Sequence, residues 1–333
     1  MNTARIDLHL HLDGSLNIRW AYEAALHQGV IEPACTFEDF YHILFEKNFA
    51  SRKESFRKFE LVCDILQHRE DLYEASYSLV RTLRERGLIY AEIRFASQQH
   101  TKGGLTQKEA LKAVIDGAEQ AKRDYPGIET GIIDCLMHKG EDALCNWEQN
   151  LESIYAVKEY LGRGAAGLDL AGFENNCPFR DYAPLFQKAR EFNIPYTMHA
   201  GEMGIGEHVL DALKMGANRI GHGINCIQKP EYLKAVLDSQ IPLEICVSSN
   251  IKTTLDYASH PVRFLLKQGA NITINSDNMI FAKTDLANEH SQLRMIGVSE
   301  EQLRQCTMNA ARAAFCSEEI REKLIRQIIQ KNA

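Results

Sequence analysis

Eight strand-like segments alternate with helix-like ones through nearly all of the 333 residues, and this alternation predicts an α/β fold of the (β/α)8 TIM-barrel type. Two further observations favour a closed barrel over a doubly wound open sheet. An open sheet would usually carry a glycine-rich phosphate loop after its first strand, and His9-Leu10-His11-Leu12-Asp13-Gly14 is not one. The histidines and carboxylates that could do chemistry also stand at strand ends, where the mouth of a barrel gathers side chains.

In chain order, the expected strands are Ile6–His9, Leu88–Phe95, Glu129–Met137, Gly167–Ala171, Tyr196–His199, Asn218–Gly221, Leu243–Val247 and Asn271–Asn275. The first connection, about residues 16–87, is long, mostly helical and rich in aromatics such as Trp20, Tyr22, Phe37, Phe40, Tyr41, Phe45, Phe56 and Phe59. Its helices either pack on the barrel wall or form a lid over the mouth, since long insertions in compact domains are often functional. Leu72, Ala75, Leu79 and Leu83 share one helical face, and Gly87 is a natural stop. Thr106-x-x-Glu109 is a capping box that opens a helix running toward Arg123, and Ser299-x-x-Gln302 opens another. With no linker, repeat or low-complexity stretch, residues 1–333 read as one domain.

Composition narrows the function. An apolar content of 45% and a charged content of 25% are those of an ordinary globular protein. No run approaches the ~18 apolar residues of a membrane span, and the first residues lack the apolar core of a signal peptide. The nine cysteines are scattered, which argues against a thiolate zinc site or a disulfide framework and for a reducing cytoplasmic setting. A net charge of −7 without a basic stripe makes nucleic acid a poor partner, so the expected partner is a small molecule.

His9 and His11 stand two apart on a strand, so both rings project to the same face. They are either a half-built metal site or two surface histidines at a frayed end. His199 ends another strand and Asp277 follows the last. If the barrel closes, three imidazole nitrogens and one carboxylate converge, a set that suits zinc, with iron or manganese as alternatives. Such a cation lowers the pKa of water toward ~7. Glu202, just past His199, is either a general acid with a raised pKa or a solvated loop carboxylate. His222, set between Gly221 and Gly223, could take or orient the proton of the attacking water. There is no G-x-S-x-G elbow and no reactive-cysteine signature.

The segments His9-Leu10-His11-Leu12-Asp13-Gly14, His199-Ala200-Gly201-Glu202, Gly221-His222-Gly223 and Ser276-Asp277 together resemble the signature set of the adenosine deaminase family. Those proteins are metal-dependent amidohydrolases with a (β/α)8 fold. Tyr90-Ala91-Glu92-Ile93-Arg94-Phe95 and Asp169-Leu170-Ala171-Gly172 are similar to the family's second- and fourth-strand segments, and the match runs in order from about residue 5 to 316. The resemblance implies zinc-dependent removal of the 6-amino group of a purine nucleoside, adenosine or 2′-deoxyadenosine. His9, His11, His199 and Asp277 would hold the metal, with Glu202, His222 and Asp277 catalytic. Glu202 would give a proton to purine N1, while His222 with Asp277 would handle the proton of the attacking water. His11, Asp13, Gly172 and Asn278 would face the substrate, Asp13 at a ribose hydroxyl and the Gly172 N–H at purine N3. Asp13 is equally a turn-capping carboxylate beside Gly14. The alternatives are a deaminase of free adenine or of a 5′-modified adenosine, and a catalytically silent purine-binding relative.

The sequence departs from the family pattern in two places. Asn278 and Met279 replace the usual aspartate and proline after the metal-binding aspartate, and Val247 replaces a proline. An asparagine amide donates at every pH, so Asn278 is expected to keep the contact to purine N7, unless the substrate carries a different group at that edge. Arg57, between Phe56 and Phe59, hints at a nucleoside extended by an acidic group.

Overall fold

The first and last strands are hydrogen-bonded neighbours, and this closes the sheet. The computed structural model describes residues 4–45, 52–140, 142–174, 178–253, 257 and 259–332, the side chains at 52–57, 252–253 and 331–332 excepted. Its eight strands are β1 (Arg5–His11), β2 (Leu88–Phe95), β3 (Glu129–His138), β4 (Ala165–Gly172), β5 (Thr197–Ala200), β6 (Arg219–His222), β7 (Leu243–Ile245) and β8 (Ile272–Ile274). Strands β1 to β4 pair in sequence order, as do β5 to β8, and every pair is parallel. Two bridges join the halves. Leu168 of β4 meets Tyr196 just before β5, and Leu10 of β1 meets Asp277 just after β8. The result is the (β/α)8 barrel that the alternation predicts.

Among the described residues four helices fill the first connection: α1 (Ile18–His27), α2 (Phe37–Phe45), α3 (Arg52–Ile65) and α4 (Arg69–Glu85). The outer layer continues with α5 (Gln107–Asp124), α6 (Trp147–Tyr160), α7 (Ala183–Glu191), α8 (Glu207–Lys214) and α9 (Pro230–Ser239). After β7 come α10 (Val247–Thr253) and α11 (Val262–Lys267), and after β8 come α12 (Met279–Ala282), α13 (Leu286–Met295), α14 (Glu300–Ala313) and α15 (Glu318–Asn332). Both expected capping boxes are formed, Thr106 with Glu109 and Ser299 with Gln302. Each such cap stabilises its helix by about 1 kcal/mol. None of the described helices is long and apolar enough to cross a membrane.

One expectation is corrected. The strand through Val247 stops at Ile245, because the Ser248 N–H goes to the buried Glu289 carboxylate at 3.1 Å and α10 begins there. The helices of the insertion pack in different places. The apolar face of α4 (Leu72, Ala75, Leu79, Leu83) is buried in the wall, and Ser76 donates to the Val114 carbonyl of α5 at 2.7 Å. By contrast α3 reaches the mouth, where Phe59 packs on Phe281 of α12 with ring centroids 4.4 Å apart. The Phe56 and Arg57 side chains lie outside the described residues.

Alternation along β1 fixes what faces the lumen. Leu8 packs outward beside Ala310 and Ala311 of α14, whereas Asp7, His9 and His11 point inward. Inward positions of such barrels are usually branched apolar residues. Here they are polar and titratable, which sets up the site.

Candidate active site

Closure of the barrel delivers the four expected ligands to one point. The Asp277 N–H donates to the His9 carbonyl at 2.7 Å, and the His11 N–H donates to the Asp277 carbonyl at 3.1 Å. A residue far along the chain is thereby stitched beside the two histidines of β1. His199 arrives at the end of β5, next to Gly221 of β6. A Cβ at Gly221 would stand 3.2 Å from His9 Cε1 and 3.1 Å from His199 Cα, so glycine is what lets the two histidines meet. Ligand atoms of His9, His11, His199 and Asp277 all lie within 4.8 Å of one another. Asp277 Oδ1 is 3.3 Å from His11 Nε2 and 3.7 Å from His9 Nε2.

The rings are oriented from behind. His9 Nδ1 is hydrogen-bonded to Glu244 at 2.8 Å, which gives its Nδ1 the proton and its Nε2 a lone pair, and His199 Nδ1 stands 2.8 Å from Asp169. His9 Nε2 is buried and, among the described residues, has no hydrogen-bond partner. Burial holds His9 and His11 far below the usual imidazole pKa, hence neutral as ligation requires. Three imidazoles, one carboxylate and two carboxylates holding the imidazoles fit a divalent cation.

Those two carboxylates belong to an ionic layer that sequence reasoning missed. Arg94, fully buried, donates to Asp169 at 2.8 Å, to Glu244 at 3.0 Å and to the Leu8 carbonyl at 2.6 Å. Arg219 donates to Glu244 at 2.6 Å and to Glu92 at 2.5 Å, with its guanidinium 3.6 Å from the centre of the Phe315 ring. Two cations thus face three carboxylates across the lumen. The available signal was charge at same-face spacing, Glu92-x-Arg94, inside an otherwise apolar strand. Arg94→Leu would leave Asp169 and Glu244 buried without this partner, and we expect a loss of about 3–5 kcal/mol of stability in denaturant titration. Asp7 acts similarly at the seam, accepting from the Ser276 hydroxyl at 2.6 Å and the His9 N–H at 3.1 Å.

Glu202 and His222 stand beside the cluster, with Glu202 Oε2 3.7 Å from His222 Nε2. Burial raises the Glu202 carboxyl to about 7, His199 opposing and Glu174 adding to the shift. Burial lowers His222 to about 4, so its ring is neutral. The tautomer follows from a chain of hydrogen bonds that starts on a backbone amide. The Val262 N–H can only donate, and it does so to His260 Nδ1 at 3.2 Å. His260 Nε2 then donates to Asn250 Oδ1 at 3.2 Å, and the Asn250 amide donates to His222 Nδ1 at 3.1 Å. The hydrogen of neutral His222 therefore sits on Nε2, facing the cluster. His222 and Asp277 both adopt left-handed backbone, at φ 60° and 59°, a conformation uncommon outside glycine and found where a site dictates it.

The remaining predicted residues line the same mouth. Asp13 is buried in the turn after β1, where it accepts the Gly14 N–H at 2.9 Å, and burial raises its pKa to about 6. The turn-capping reading of Asp13 is thus realised. Gly172, at φ 105°, ends β4, where a Cβ would meet the His138 carbonyl at 2.9 Å. Asn278 donates to Asp277 Oδ1 at 2.7 Å and packs against Gly14, whose added Cβ would stand 2.0 Å from Asn278 Oδ1. Met279 and Val247, in place of prolines, are each the first residue of a short helix, α12 and α10. Proline suits that position but is not required there.

A closed (β/α)8 barrel with this His/Asp cluster at its mouth defines an amidohydrolase-type hydrolase. The family model described as Adenosine deaminase matches residues 4–331. The chain belongs to the adenosine deaminase family, and it is a hydrolase that acts as an aminohydrolase. It is 36% identical to the adenosine deaminase of Haemophilus ducreyi, over 98% of this chain and 96% of that one. Among solved structures it is similar to an adenine deaminase from Arthrobacter aurescens, with a TM-score of 0.86 and 23% identity over 99% of both chains. It is also similar to an amidohydrolase from Burkholderia ambifaria with bound Zn, with a TM-score of 0.87 and 19% identity over 99% of this chain and 90% of that one.

Proposed function

We propose that this chain deaminates adenosine and 2′-deoxyadenosine hydrolytically, releasing ammonia and the 6-oxo nucleoside, with zinc held by His9, His11, His199 and Asp277. The observation that carries the reading is the pairing of that ligand cluster with a buried carboxylic acid, Glu202, beside neutral His222. When bound, the zinc supplies a water of lowered pKa and a Lewis acid. Glu202 keeps its proton near neutral pH and gives it to purine N1, which makes C6 electrophilic. His222, with hydrogen on Nε2, orients the attacking water as a donor, while Asp277 accepts one proton of that water and passes it to the amino group, which leaves C6 as ammonia; the C6 hydroxyl proton returns to Glu202 as the carbonyl forms. The Gly172 N–H meets purine N3, and Asp13 accepts from a ribose hydroxyl. Asn278 uses one amide hydrogen on Asp277 and has a second for purine N7. Helices α2 and α3 serve as the lid that keeps bulk water from the mouth, while α4 belongs to the wall.

The test is ultraviolet absorbance with adenosine, 2′-deoxyadenosine, adenine and 5′-substituted adenosines. The expected result is loss of the adenine band with the two nucleosides first, abolished by a chelator and restored by zinc. A preference for free adenine would overturn the nucleoside assignment, and an unchanged spectrum with every compound would overturn deamination. Asn278→Asp should reorder the purines accepted; an unaltered ranking would remove its base-reading role.

A further inference from the structure

Glu174 lies two residues past Gly172, in the loop that follows β4, and only 2% of it is exposed. A buried carboxylate needs partners, and those of Glu174 come from beyond the neighbouring strand β5. Its Oε1 accepts the Gly201 N–H at 2.5 Å, and its Oε2 accepts the Glu202 N–H at 3.0 Å and the Met203 N–H at 2.7 Å. His208 of α8 adds a fourth contact, its Nδ1 2.9 Å from Oε1, while its ring stacks on Phe179 at 4.4 Å. Three successive amides converging on one anion make a backbone nest of the kind that usually holds a bound ion. Here the anion is the protein's own. Gly201 makes the nest possible through its φ of 68°.

The geometry points to Glu174 as a positioning residue that ties the Gly172 loop to the backbone of Glu202 and so sets the spacing of the two contacts to the six-membered ring of the purine. This inference rests on the proposed reading, in which Gly172 meets N3 and Glu202 meets N1. Those atoms are two bonds apart on one ring, so the loops that address them must hold a fixed separation. One carboxylate spans that gap. Its negative charge also adds to the rise in the Glu202 pKa, in the direction that keeps the proton on the donor.

The experiment is a double-mutant cycle with a second, activity-independent readout. Glu174→Gln offers one carbonyl oxygen where the carboxylate has two acceptors, so the nest opens. The zinc-loaded variant should lose about 10–100-fold in kcat/KM on adenosine, the scale of a catalytic group misplaced by about 1 Å. In a Glu202→Gln background the same change should cost less than about threefold, because Glu174 acts through Glu202. An equal loss in both backgrounds, or none in either, would overturn the assignment. Hydrogen exchange over residues 200–203 should be slow in the native protein and faster in Glu174→Gln. Fast exchange in the native protein would overturn the clamp, whatever the substrate proves to be. A native protein that turns over no purine yet protects those amides would instead refute only the reaction. Should Glu174→Gln fail to fold, Glu174→Asp keeps the charge but withdraws it from the amides, and the same cycle and exchange criteria apply.

Discussion

Glu202→Gln is expected to lower turnover by about 100-fold or more while metal content and unfolding midpoint stay at native values. Gln has the size of Glu but cannot give up a proton to N1, and a well-placed proton donor supplies about 2.7 kcal/mol or more of the barrier reduction. The pH profile supplies a second signature. A carboxyl raised to about 7 keeps its proton well above the usual carboxylate range. The native kcat/KM should therefore be level just below neutrality and fall about tenfold per pH unit above about 7. In Glu202→Gln that alkaline limb should vanish from whatever activity remains. Native-like turnover in the variant would show that another group protonates the purine.

His199→Ala carries the second large effect. It removes one nitrogen of the cluster and also leaves Asp169 without the imidazole it orients. Even loss of a group that only orients a ligand weakens metal binding by roughly 10–100-fold, so loss of the ligand itself should exceed that range. Dialysed protein should then contain far less than one zinc per chain by elemental analysis, and its activity should fall in parallel. Stoichiometric zinc with native activity would show that the cation sits elsewhere.

The four residues of the candidate metal cluster were open to sequence reasoning because ligand chemistry restricts such a set to a few residue types, and because His9 and His11 show their common face through spacing alone. Glu202 and His222 were legible for the same reason, each following a strand beside a glycine. Every strand end was legible to within two residues, since apolar runs bounded by turn residues mark them well. The overrun at Val247 was not foreseeable, because what turns the chain there is the carboxylate of Glu289, which reaches the amide from α13. Arg94, Asp169 and Glu244 read as ordinary strand charges until closure sets them against one another. Glu174 lies in an irregular loop without periodicity, and three of its four partners are amides, which leave no trace in side-chain identity. The split of the first insertion between wall and mouth was hidden for a related reason: aromatic content is the same whether a helix covers a sheet or an opening.

The stitching of Asp277 to His9 and His11 has a consequence for assembly. Two donors come from the beginning of the polypeptide and one from near its end, so a growing chain has no complete cage to offer until synthesis is almost finished. An ion held by the proposed set would act as a rivet across the last gap in the stave wall, and its removal would then be expected to loosen that junction before any other part of the molecule.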